Sequence, residues 1–160
     1  MNNSNRLIFL KKVAIVGILF LLTGTLFLFF NIKIYRMDSN SMEPVINKGD
    51  VVIAWKQKRY KRGDRICLFM HPVSIMSIRT IAATAGDVLE VEENTLMIGD
   101  KKYNINTSTY SFLRSISICG AMTTPMGKIF AVSENPNGYD SKELGFFEEK
   151  DVEGVVLFWF

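Results

Sequence analysis

The stretch Met37-Asp38-Ser39-Asn40-Ser41-Met42-Glu43-Pro44-Val45 is the first place where residue types and spacing could do chemistry. Pro44 fixes its own φ and biases Glu43 toward extended conformations, so a loop bearing Ser41 is stiffened on its exit side. A serine held in this way suits a nucleophile. Ser39, two residues earlier, is placed to offer a hydroxyl to an oxyanion site beside the Ser41 backbone N–H. The hydroxyl is a poor nucleophile near neutral pH and needs a base within hydrogen-bond reach. Taken alone, a serine-rich loop of this kind is more often only a turn.

The elements around that loop divide the chain in two. From Val13 to Phe30 the sequence reads VAIVGILFLLTGTLFLFF, eighteen residues without a charge. At about 1.5 Å per residue a helix of this length spans about 27 Å, close to the hydrocarbon thickness of a bilayer. A cleaved signal peptide is the rival reading, but the exit NIKIYRMDSNS carries no small-x-small site. The organisation expected is a short cytoplasmic N-terminus over 1–12, a membrane anchor over 13–32 and an exported domain over 37–160. Arg6, Lys11 and Lys12 precede the apolar run and Lys33 and Arg36 follow it, so the positive-inside rule narrowly favours an inside N-terminus. The exported domain then lies on the periplasmic or extracellular side of a bacterial inner (cytoplasmic) membrane.

Charge follows the same division. The formal net charge is +3, yet residues 1–36 hold those five basic residues and no acid. Residues 37–160 carry 14 basic and 16 acidic side chains, a net of −2. A nucleic-acid partner is therefore not expected. Two cysteines and one histidine are too few for a structural zinc site, and neither a metal nor a cofactor is expected. Cys67 and Cys119 are either a disulfide, permitted outside the cytoplasm, or two buried free thiols.

Beyond Met37 the pattern predicts strands at Asp50–Trp55, Arg65–Met70, Val88–Glu92, Thr95–Ile98, Lys102–Asn106, Lys128–Val132 and Gly154–Phe160. Turn signals separate them at Gly49-Asp50, Gly63-Asp64, Gly86-Asp87, Gly99-Asp100 and Asn135-Pro136-Asn137-Gly138. The fold class expected is mostly β, a barrel or coiled set of sheets, with no useful helical period after the anchor. The basic cluster Lys56, Lys58, Arg59, Lys61, Arg62 and Arg65 reads equally as a contact for anionic lipid headgroups or as a solvated hairpin loop.

Four segments resemble, in order and spacing, the type I signal peptidases (the S26 serine peptidases). Ser39-Asn40-Ser41-Met42-Glu43-Pro44 looks like the nucleophile box, and Lys61–Ile66 resembles the next conserved strand. Arg79-Thr80-Ile81-Ala82-Ala83-Thr84-Ala85-Gly86-Asp87-Val88 resembles the box that carries the general-base lysine. Glu134–Lys142, with Gly145, Phe146 and Gly154 beyond it, is similar to the last box. The small size and the Ile-Ala-Ala-x-Ala-Gly-Asp wording look most like the conjugal-transfer maturation peptidases (TraF-like), with the general leader peptidases second.

What the resemblance implies is a signal-peptidase-like β domain and a serine/lysine dyad, with Ser41 as nucleophile, Ser39 as oxyanion helper and Asp140 as an orienting carboxylate. Counting back from Gly86-Asp87, the base lysine falls on Arg79, which holds its proton too tightly to take one from Ser41. His71 and Lys142 are the substitutes available, and Asp140 is expected to pair with Arg79. Gly138 stands where general leader peptidases tend to carry a serine. The reading is a membrane-anchored serine endopeptidase that cleaves signal or leader segments of exported precursors. Membrane lipid and a conjugation or secretion apparatus are its further partners, and pilin maturation is a possible task. The alternative is a catalytically inactive, peptide-binding relative.

Overall fold

The computed structural model describes residues 3–57 and 59–160, in two compact units, Met1–Ile32 and Lys33–Phe160. In the first, helix α1 runs over Asn3–Asn31, so it begins ten residues before Val13. Its segment Leu10–Asn31 has a mean hydropathy of 2.6 and buries nothing against protein. Twenty-two residues span about 33 Å, long and apolar enough to cross a bilayer. Between Val13 and Phe30 the two polar side chains are satisfied locally, since Thr23 Oγ1 donates to Leu19 O (2.9 Å) and Thr25 Oγ1 to Leu21 O (2.7 Å). A hydroxyl bonded back to its own helix can sit in hydrocarbon without an unmet donor.

The second unit is mostly β. Its larger sheet is built from β1 (Ile32–Arg36), β2 (Val51–Trp55), β3 (Arg65–Met70), β4 (Ile75–Ala83), β9 (Lys128–Val132), β10 (Phe147–Glu148) and β11 (Val152–Trp159). The spatial order is β1-β2-β11-β3-β4-β9-β10. A smaller sheet holds β5 (Val88–Glu92), β6 (Thr95–Ile98), β7 (Lys101–Asn104) and β8 (Ala121–Thr123) in the order β7-β6-β5-β8. All seven sequence-predicted strands are present, with ends shifted by up to two residues. The strand that matters most for the site, β4, was not among them. Six of its nine residues are buried on both faces, so it lacks the period-two alternation by which half-buried strands are read.

Two helices interrupt the β unit, against the expectation of none. Helix α2 (Thr107–Ile116) is rich in Ser and Thr, which favour caps and turns over helix interiors. It forms because Asn106 caps it, accepting from Thr109 N–H at 2.7 Å, and because Leu113 is buried in the core of the smaller sheet. The short α3 (Ser141–Leu144) is capped by Asp140.

Three of the Gly-Asp turns share one construction. Gly49, Gly63 and Gly86 take φ of +100, +91 and +90, a region that favours glycine, and the following aspartate closes the turn. Asp50, Asp64 and Asp87 each accept, through Oδ2, the backbone N–H three residues back, at 2.7–2.9 Å.

Two expectations are corrected here. The basic cluster does not occupy a hairpin loop, because β11 lies between β2 and β3 and the segment is a crossover connection. Within it Arg65 stacks over Trp159 (5.1 Å) and faces Glu134 at 3.7 Å, while Lys58 lies outside the described residues. The cysteines are free thiols, but they are not both buried: Cys67 is enclosed and Cys119 is exposed.

Candidate active site

Ser41 lies on a compact turn between β1 and β2 rather than on the extended exit expected from Pro44. Backbone bonds from Glu43 N–H to Asn40 O (3.2 Å) and from Val45 and Ile46 N–H to Met42 O (2.9 and 3.0 Å) close it, and the Glu43–Pro44 bond is cis. The fully buried Met42 and Ile46 anchor the turn in a cluster with Met37, Val52, Ala54, Cys67 and Ile78. Met37 and Met42 of this cluster flank the two serines, and their burial holds the intervening loop in place.

Arg79 enters from the middle of β4. It lies opposite Ile66 on β3, and its neighbour Thr80 pairs with Val132 on β9. Arg79 is 3% exposed, and its guanidinium is the centre of the site. Nη1 donates to Ser41 Oγ (2.8 Å), Ser77 Oγ (2.5 Å) and Ile78 O (2.6 Å), and Nη2 donates to Tyr139 O (2.7 Å). Ser39 Oγ lies 3.0 Å from Ser41 Oγ. Burial pushes the Arg79 pKa down to about 10, an effect opposed by the charge of Asp140. The guanidinium therefore remains a cationic donor at neutral pH.

Asp140 does not pair with Arg79 as expected. Its fully buried carboxylate accepts from Ser133 N–H (2.7 Å) and Lys142 N–H (2.8 Å), and Lys142 Nζ closes an ion pair at 2.7 Å. Asp140 thus ties the end of β9 to the start of α3, and between them fixes the Tyr139 carbonyl that holds Nη2. The loop is joined to the serine turn as well: Asn135 N–H donates to Ser41 O (3.0 Å) and Asn135 Nδ2 to Asn40 O (3.1 Å). Gly138 leaves room for Ser133, because a Cβ at 138 would stand 2.1 Å from Ser133 Oγ.

Neither substitute base reaches Ser41 among the described contacts. His71 is exposed at the far end of the β3–β4 pair, 3.1 Å from Asp151. From the Ile66–Arg79 pair to His71 is five residues, about 16 Å along a strand. Lys142 is engaged by Asp140. A groove of about 520 Å³ beside the serines is walled by residues 34–39 and 75–78.

A family model described as signal peptidase, peptidase S26, matches residues 9–160. The chain belongs to that family. This S26 member is 26% identical to a signal peptidase I of Bacillus licheniformis, over 99% of its own length and 91% of the relative's. It is 27% identical to signal peptidase I P of Bacillus subtilis subsp. natto, over 95% and 87%. A crystal structure of a signal peptidase I from Enterococcus faecalis V583 overlaps 61% of this chain and 96% of that one, with 21% identity and a TM-score of 0.42.

For this S26 chain, the residues singled out in sequence, Ser39, Ser41 and Arg79, converge within 3.0 Å contacts, while Asp140 binds Ser133 and Lys142 beside the Tyr139 carbonyl that Arg79 holds. Ser77 was missed. It sits two residues before Arg79 on the same strand, hence on the same face, and would have been found had β4 been recognised.

Proposed function

We propose that this signal peptidase family member is a membrane-anchored serine endopeptidase that cleaves signal or leader segments of exported precursors, with Ser41 as nucleophile. The observation that carries the reading is the contact of Ser41 Oγ with a hydroxyl on one side and the β4 cation on the other. In the reaction Ser41 Oγ attacks the scissile carbonyl and gives up its proton, and the leaving amine departs protonated as the mature chain. Water then hydrolyses the ester on Ser41. Ser39 Oγ and the Ser41 N–H receive the developing oxyanion, and Asp140 orders the loop that holds Arg79. The precursor lies as an extended strand in the groove between residues 34–39 and 75–78.

Arg79 stays protonated in this reading and holds Ser41 Oγ as a fixed cationic donor, so the serine proton reaches the leaving amine through solvent rather than through Arg79. The second reading is a silent relative that binds leaders without cutting them. It is favoured by the hydrogen bond in which the guanidinium donates to Ser41 Oγ, the reverse of what a base does.

Helix α1 anchors the enzyme in the cytoplasmic membrane, with Arg6, Lys11 and Lys12 on the inside and the β unit outside. Pilin maturation in conjugal transfer is the narrower task, supported by the small size and the Ile81-Ala82-Ala83-Thr84-Ala85-Gly86-Asp87 wording.

The test is cleavage of a membrane-inserted precursor in detergent by wild type, Ser41→Ala and Arg79→Lys, across about pH 7 to 9. Wild-type cleavage that vanishes in Ser41→Ala is the expected result. A silent wild type with an active Arg79→Lys would establish the binding protein instead, and a pilin precursor cut in preference to a general one would establish the narrower task.

A further inference from the structure

A second groove, of about 790 Å³, opens beside Thr80 and Ile81 of the Arg79 strand and plays no part in the chemistry above. Its walls include Arg62, Lys101, Lys102 and Lys142, with Glu134 as the acid among them. Lys142 is neutralised by Asp140, and Glu134 is held by Thr80 Oγ1 (2.7 Å) and faces Arg65. Arg62 and Lys101 thus have no acidic partner among the described residues, while Lys102 also borders a neighbouring groove that holds Glu90, Glu92 and Glu93. Lys101 and Lys102 are exposed on β7, an edge strand of the smaller sheet, while Arg62 Nη2 is fixed on the Ile98 carbonyl. A second feature also calls for a polar ligand: Ser133 lines the groove, is 7% exposed, and its hydroxyl has no partner among the described residues.

The groove is coupled to the serine turn. Its wall includes Ser133, Glu134 and Pro136, and Asn135 between them bonds Ser41 O directly. A polypeptide whose scissile bond lies at Ser41 therefore has a cationic surface within a few residues of the cut.

We propose that this groove binds acidic side chains of the precursor close to its cleavage site, so that the protein selects substrates carrying Asp or Glu there. The inference rests on the reading that exported precursors are bound at Ser41. Carboxylates would be steered chiefly by Arg62 and Lys101 and would take the Ser133 hydroxyl as donor.

The test is binding by the full chain as Ser41→Ala in detergent micelles, which removes turnover from the measurement. The probes are two synthetic precursor peptides that differ by a pair of aspartates or asparagines just beyond the cut. The aspartate peptide is expected to bind about tenfold more tightly at about 20 mM salt, and about twofold at about 0.5 M. Adding K101E/K102E should abolish that preference and leave the asparagine peptide unchanged. Equal binding of the two peptides would overturn the inference alone, and binding of neither would overturn it together with the reading beneath it. If instead K101E/K102E weakens only association with phosphatidylglycerol vesicles, the surface is a lipid contact and the inference falls.

Discussion

At the scale of single residues the site is built to hold a cation. Three acceptors crowd one Arg79 nitrogen and a backbone carbonyl takes the other, so the guanidinium is oriented and largely desolvated at once. Lysine at this position has one nitrogen and cannot span Ser41 and Tyr139 together, but it can lose its proton when buried. Arg79→Lys should therefore raise the cleavage rate at pH 7 and make it climb as the lysine loses its proton, which a pH–rate profile would read. Asp140→Ala leaves Lys142 without its buried partner and Ser133 N–H without its acceptor, at a cost of about 3–5 kcal/mol. A thermal melt should show that loss, while Asp140→Asn retains part of the hydrogen bonding and should lose less. The convergence of Ser39, Ser41 and Arg79 was legible because box order carries spacing along the chain. The partner of Asp140 was not, since two cations lay within reach and only the backbone direction at α3 decides between them.

At the scale of elements, what could be read was set by how each one is stabilised. Strands with one solvated face announce themselves by alternation, whereas β4 is enclosed and α2 is held by one cap and one buried leucine. The Gly-Asp turns were legible because their chemistry is local, a left-handed glycine followed by a carboxylate that closes the loop. Asp87→Ala removes two contacts to Thr84, from its N–H and its hydroxyl, and should cost about 1 kcal/mol in a denaturant titration. Gly154 has a different constraint that no turn signal reveals. A Cβ there would stand 2.7 Å from Trp55 O, where β11 crosses β2. Gly154→Ala should separate those strands and cost about 2 kcal/mol or more, well above the effect of the same change at open Gly17.

At the scale of the whole molecule, the thiols report on the intact β unit. Cys67 lies in the cluster that anchors the serine turn, and burial followed by the charge of Glu153 pushes its pKa up to about 12. A folded-state value above the ordinary 9.0 means that the protonated thiol's contribution to stability is fully present below pH 9 and is lost as pH rises toward 12. Cleavage should therefore fall as pH rises above about 9, in step with a loss of fold that a thermal melt would read. Maleimide should label Cys119 alone in the native protein and both thiols in denaturant; labelling of Cys67 under native conditions would mean that the serine turn had come loose.

The order of strands carries a consequence for folding. Residues 152–159 form β11, which lies in the interior of the larger sheet between β2 and β3. Until that segment has paired on both sides, β2 has no strand neighbour linking it to β3, and the backbone frame that sets the serine turn against the Arg79 strand is incomplete. Segments about a hundred residues apart must therefore meet before the site exists, and a chain folded only in part carries a dismantled one.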